Sequence, residues 1–230
     1  MFLSNRPTLL VITCIFALFL PSCGSGPANE SNSLAKLGAD KKEFPFSTTE
    51  PEVFQGNFFV SSGDNEKRWF VARKGDSWRL DIFDGGERSL TQLKTDKAYL
   101  IDHIRRTYCE PPRPSGRNEA VDPILSGFFR GKVYREFEDL GVHEGYRKYK
   151  VTQDGDSKED IIISIDESSG MIVKQDFYEG TGEQARIAYS YEVRDLKLSV
   201  DDDVLGLPAD YTLVGYVEFQ RARQIRSTHM

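Results

Sequence analysis

Ser77-Trp-Arg-Leu-Asp-Ile-Phe-Asp-Gly-Gly-Glu-Arg-Ser-Leu-Thr-Gln-Leu-Lys94 reads as two strands and the turn that joins them. Trp78, Leu80 and Ile82 alternate with Arg79 and Asp81. That is the period of two with which side chains leave opposite faces of a strand. Asp84, Gly85 and Gly86 accept the backbone angles of a tight reversal, and so short a link makes the two strands antiparallel neighbours. The pattern predicts one packed face and one wet face, with Arg79 and Asp81 on the wet side.

The same grammar recurs along the chain. Short β-branched or aromatic runs predict strands at Val53–Ser61, Arg68–Arg73, Ser77–Phe83, Ser89–Lys94, Lys97–Ile104, Arg106–Glu110, Tyr146–Gln153, Asp160–Asp166, Met171–Glu179, Ala185–Ser199 and Tyr211–Phe219. Turn residues at Gly75-Asp76, Thr95-Asp96, Asp154-Gly155-Asp156, Ser168-Ser169-Gly170 and Gly180-Thr181-Gly182 connect them. The exception lies between Glu110 and Tyr146, where Pro111, Pro112 and Pro114 break the sheet. Ile124, Leu125, Phe128 and Phe129 then fall on one side of a short segment, which predicts a helix over Pro123–Phe129, capped by Asp122 and ended near Gly131. These parts predict a mainly β fold: a large curled antiparallel sheet, a half-open barrel, with a short helical lid over its open end.

The chain opens with Arg6, an apolar run from Leu9 to Leu20, and no acid before Glu30. At about 1.5 Å per residue the run spans roughly 18 Å, short of the ~30 Å a membrane helix must cross, so it reads as an export signal. Leu20-Pro21-Ser22-Cys23 resembles the lipobox of bacterial lipoproteins, with Pro21 a departure from the usual small residue. That resemblance implies a signal peptide over 1–22, acylation of Cys23 with fatty chains such as palmitate, and a membrane anchor. Gly24 stands where an inner-membrane retention signal would carry Asp, which favours the outer membrane, facing the periplasm. The Gly/Ser-rich and then Lys/Asp-rich residues after Cys23 predict a tether over 23–45. A single β-rich domain over 46–220 and a fraying tail over 221–230 complete the expected layout.

Composition narrows the function. The net charge of −6 becomes −7 when the segment holding Arg6 leaves, which argues against nucleic acid as a partner. Of three cysteines, Cys14 departs with the signal and Cys23 takes lipid, leaving Cys109 as a small packing residue. No nucleophile elbow, phosphate loop, dinucleotide fingerprint or zinc-protease motif is present, and His103, His143 and His229 are scattered. Asp154–Asp160 lacks the ligand spacing of a calcium loop, and Asp201-Asp202-Asp203 reads as a solvated turn. The expectation is a protein with no cofactor, no metal and no catalysis of its own.

The chain closes on Leu205-Gly206-Leu207-Pro208-Ala209-Asp210-Tyr211, after a strand with the acidic end Leu198-Ser-Val-Asp-Asp-Asp203 and an earlier one reading Met171-Ile-Val-Lys-Gln-Asp-Phe-Tyr-Glu179. With the order of parts, these phrases resemble the LolA/LolB superfamily of lipoprotein carriers, with Asp210 where Gly is common in it. It implies a half-open barrel that accepts acyl chains under a helical lid. Phe58, Trp78, Leu80, Tyr99, Phe128, Phe129, Tyr189 and Tyr191 are the cavity-lining candidates; aromatics at strand spacing equally suit a solid core. Three functions follow as alternatives: a lipid-anchored protein binding an acyl chain, lipid or lipoprotein; a protein-interaction or regulatory subunit of an envelope complex on the same fold; and a hydrolase with dispersed residues.

Overall fold

The computed structural model describes residues 44–129, 134–153, 160–180 and 182–227. The expected signal, Cys23, most of the tether, Gly131, the Asp154 turn, Thr181 and His229 lie outside them.

The strands β1 Val53–Ser62, β2 Asn65–Lys74, β3 Ser77–Asp84, β4 Glu87–Lys94, β5 Ala98–Asp102 and β6 Thr107–Cys109 run as one antiparallel meander. A second meander follows: β7 Tyr134–His143, β8 Tyr146–Gln153, β9 Asp160–Asp166, β10 Met171–Glu179 and β11 Arg186–Lys197. β11 pairs with β1 and so welds the two into one sheet, and the short β12 Thr212–Leu213 adds parallel to β6. The order is β12-β6-β5-β4-β3-β2-β1-β11-β10-β9-β8-β7, and the sheet does not close into a barrel, because β12 and β7 end it. The weld needs a close approach. A Cβ on Gly56 would stand 3.0 Å from Val193, and the β1–β11 register slips beside it, where Asp195 takes a φ of 56°.

Cross-strand register carries one inner face along the whole sheet. Phe58 lies opposite Trp69 and Val193, and Tyr191 opposite Gln175, which in turn faces Ile163 and then Tyr149. Two packed clusters occupy this face. The first joins Phe54, Phe58, Val71, Trp78 and Leu80 to Val121, Leu125, Phe128 and Phe129; the second joins Phe46, Tyr134, Tyr149, Ile161, Ile163, Ile172 and Phe177. Tyr191 touches both.

Several expectations need correction. The lid is two short helices, α1 Arg117–Ala120 and α2 Asp122–Leu125, followed by turns to Phe129. Asp122 is the first residue of α2 and makes no side-chain cap bond, since Val121 holds the capping position with helical angles. β7 falls inside the segment read as a break, because its Arg, Glu and Asp residues mask the strand period. Tyr211–Phe219, expected as a strand, contributes only β12 before helix α3 Tyr216–Ser227 begins, so residues 221–227 continue a helix where a fraying tail was expected. The face of β3 expected to be wet is covered: Arg79 is 7% exposed and Asp81 2%.

Candidate functional site

The lid is built by an apolar stripe at helical spacing. Val121, Leu125, Phe128 and Phe129 fall on one side of α1–α2 and its following turn, and all four are buried. The Phe128 ring meets Phe58 edge-on at 5.1 Å and Tyr191 at 5.7 Å, and Phe129 meets Phe54 at 6.1 Å. Each such ring pair contributes about 0.5–1.5 kcal/mol beyond the area it buries. At Gly127 a Cβ would come within 2.8 Å of the Tyr191 ring, so only a residue without a side chain lets the lid sit this low. Its carbonyl accepts a bond from the Gln175 amide at 2.8 Å, in a fully buried position. The start of the lid is pinned by charge: Arg117 pairs with Glu50 and with Asp122 at 2.9 Å, and Glu50 also holds Arg73 at 2.9 Å. These pairs are largely removed from water, where losing one partner costs more than the pair contributes.

Of the cavity candidates, Phe58, Trp78, Leu80, Phe128 and Phe129 come together, but as mutually packed core residues. Tyr189 and Tyr191 stand at the junction with the second cluster, Tyr189 stacked on Phe177 at 4.3 Å. Tyr99 does not join them. Its neighbour in register is Leu93, whose face lies opposite that of Trp78 and Leu80, and its ring meets Tyr108 at 6.1 Å.

The sequence reading missed what fills the other half of the inner face. Phe44 and Phe46, assigned to the tether and to the first residue of the domain, insert among Tyr134, Phe137 and Tyr149, with ring separations of 5.4 Å for Phe44–Phe137 and 5.5 Å for Phe46–Tyr149. Among the described residues a single bridge, Ser47 N–H to the Gly170 carbonyl at 2.9 Å, ties this strap to the start of β10 at Met171. The signal was in the sequence as Phe44-Pro45-Phe46, an apolar phrase at the end of a polar tether.

The outer face carries the charged machinery. Asp81 accepts from Arg79 Nε at 2.7 Å, from Arg88 Nη1 at 3.2 Å and from the Thr91 hydroxyl. The Thr91 oxygen meets His103 Nε2 at 2.7 Å, and His103 Nδ1 meets the Tyr211 hydroxyl at 3.0 Å. A carboxylate only accepts, so Thr91 spends its one proton on Asp81, and His103 Nε2 donates to Thr91. Burial, with the Arg88 charge beside it, lowers the His103 pKa from 6.5 to about 4, which keeps the ring neutral at pH 7. With its proton on Nε2, the neutral ring accepts from the Tyr211 hydroxyl at Nδ1. The relay fastens Tyr211, the last residue of the closing phrase, while Arg79 Nη1 holds the Val204 carbonyl at 2.8 Å and Gln55 grips Asp201 at 2.7 Å. The Asp201–Asp203 run is thus partly engaged, since Asp201 also pairs with Lys197 at 2.8 Å.

Two clefts open on the described surface away from the candidate residues. One of about 520 Å³ lies between β8 and β11, lined by Tyr146, Lys148, Lys174, Glu192 and Arg194 among others. The second, of about 490 Å³, lies over β1–β4 and is walled by Arg68, Arg79, Arg88, Phe70, Phe83 and Val204. The first is lined mainly by polar surface, and the second sets three arginines and two aspartates beside an apolar wall of Phe70, Phe83 and Val204.

Comparison with protein-family models and with curated proteins finds no match. Among solved structures the chain is similar to MucB, with 13% identity over 71% of this chain and 60% of MucB at a TM-score of 0.41. MucB has also been solved in complex with the periplasmic part of MucA. An uncharacterised conserved protein from Thermus thermophilus shares 12% identity over 70% of this chain and 89% of its own, at a TM-score of 0.39. A LolA superfamily protein from Nitrosomonas europaea shares 15% identity over 71% and 93%, at 0.29. The chain spans about 60% of the length of MucB.

Proposed function

We propose that this chain is a lipid-anchored protein of the bacterial envelope, held at the outer membrane by an acylated Cys23, whose β-domain binds another envelope protein and performs no chemistry of its own. The observation that carries this reading is the filled inner face. Apart from Tyr99, the residues expected to wall a lipid cavity are packed into the two inner clusters, which leaves the outer surface for recognition. The anchor rests on the sequence, on Leu20-Pro21-Ser22-Cys23 behind a short apolar run.

Two measurements test it. Cells fed a labelled fatty acid should label the wild-type chain and not Cys23→Ala; equal labelling removes the anchor. Cross-linking in intact envelopes should trap a stoichiometric protein partner, while the purified domain shows no saturable displacement of a fluorescent fatty acid. Saturable displacement with no partner trapped would reverse the reading.

One observation favours a second reading, binding of an acyl chain, lipid or lipoprotein. The plug over β7–β10 is a short strap with a single described backbone bridge, so its release would expose Tyr134, Phe137, Tyr149 and Phe177 as an apolar groove. Under this reading Phe46→Ala raises affinity for the fluorescent fatty acid at least fivefold; unchanged affinity counts against it.

A further inference from the structure

We infer that the cleft over β1–β4 is a docking site for a carboxylate carried beside an apolar side chain, on an acidic segment of a partner protein. The inference rests on the partner-binding reading above and locates its contact.

The cleft presents three guanidinium groups against two carboxylates, Asp81 and Asp203, in a chain whose formal charge is −6. Local positive charge on an acidic molecule is a place where an anion gains by binding. Much of the donor capacity is uncommitted. A guanidinium carries five N–H groups. Arg88, with 44% of its side chain exposed, uses one of them on Asp81, and Arg68 directs Nε and Nη2 to the Asn57 side-chain oxygen Oδ1 at 3.2 and 2.8 Å.

The site is also pre-formed. The Arg68 guanidinium lies 4.1 Å from the Phe83 ring centroid, which fixes its plane. Arg79 is locked between Asp81 and the Val204 carbonyl, and Asp81 is itself backed by Thr91 and His103. Side chains held in this way lose little freedom when a ligand arrives.

The charge balance selects the ligand. Asp81 is already a carboxylate gripped by two of the three guanidinium groups, which shows that the spacing suits a planar two-oxygen group. The surplus of one positive charge matches a monoanion; a phosphate dianion would leave one negative charge uncompensated. Phe70, Phe83 and Val204 give the remaining wall to an apolar neighbour.

The test titrates the full mature protein in detergent with N-acetyl-phenylalanine, with its uncharged amide, with acetate and with inorganic phosphate, read by calorimetry. Saturable binding of N-acetyl-phenylalanine is expected, at least tenfold tighter than the amide and tighter than acetate. Arg88→Gln and Arg68→Gln should each weaken it at least fivefold with an unchanged melting temperature. Should either variant melt early, competition of the same carboxylate against wild type by N-acetylated, C-amidated Glu-Phe and Gln-Phe dipeptides supplies the readout, with only the Glu peptide expected to compete. Phosphate binding as tightly as the carboxylate, or no saturable binding, overturns the assignment. If the cross-linked partner is trapped equally well by Arg88→Gln, the cleft is not its contact, while the partner-binding reading stands.

Discussion

The Gln175 side-chain amide donates to the backbone carbonyl of Gly127 at 2.8 Å, across the seam between lid and sheet, while its own oxygen accepts from the Tyr134 hydroxyl at 3.2 Å. One fully buried amide therefore registers the lid against β10 and holds a tyrosine of β7. Gln175→Leu leaves both partners without this bond in a dry interior and should cost about 2–3 kcal/mol. Urea unfolding followed by tryptophan fluorescence measures it; a loss under 0.5 kcal/mol would mean that water replaces the amide.

Gly127→Ala places a methyl against the Tyr191 ring. Overpacking of this kind should cost about 1–3 kcal/mol, and Tyr191→Leu in the same chain should recover part of it by withdrawing the obstacle. The double-mutant cycle separates this clash from a general intolerance at the turn, which would show no recovery.

His103 sets a pH window. Its folded pKa, lowered to about 4, lies below the ordinary 6.5, so the unfolded chain takes up the proton first as pH falls. The contribution is complete above pH 6.5 and declines through the window down to 4, by about 1–2 kcal/mol once solvent access to the ring is allowed for. His103→Gln should flatten the stability profile between pH 4 and 6.5. The more acidic limb should persist, because hydrogen bonds from Ser169, Arg147 and Lys197 hold Asp166, Asp139 and Asp201 below the usual carboxylate range.

Cys109 is fully buried, and burial pushes its thiol up to about 11. In a chain carrying Cys14→Ser and Cys23→Ser it should react with a disulfide reagent on the order of a hundredfold or more slower than a free thiol at pH 8, and at the ordinary rate in denaturant. Fast reaction in the native protein would contradict the packing at the β5–β6 pair.

Much of the sheet was legible because turn chemistry and alternation agree there. Tyr146–Gln153, Asp160–Asp166 and Met171–Glu179 have the bounds read from the sequence, and β1 to β4 differ at their ends alone. What escaped reading has physical causes. β7 is an edge strand whose partners lie on one side only, so Glu136, Glu138 and Asp139 face water and blur its period. Arg79 and Asp81 looked solvated because charge usually is, yet each neutralises the other and the loop through Val204 roofs them. The cleft was invisible for a related reason: Arg68 and Phe83 stand 15 positions apart and meet only through strand pairing that no local pattern specifies. Phe58, Trp78, Leu80, Phe128 and Phe129 share one packed cluster, and spacing cannot tell a wall from a filling.

The ring of Tyr191 has a calorimetric consequence. Because it is shared by both inner clusters, neither half of the sheet can lose its packing without stripping contacts from the other. Heating should give a single endotherm whose measured enthalpy matches the van't Hoff value, as for a two-state unit. Trimming that ring to alanine should broaden the peak or split it, with the halves on either side of the β1–β11 weld melting in turn.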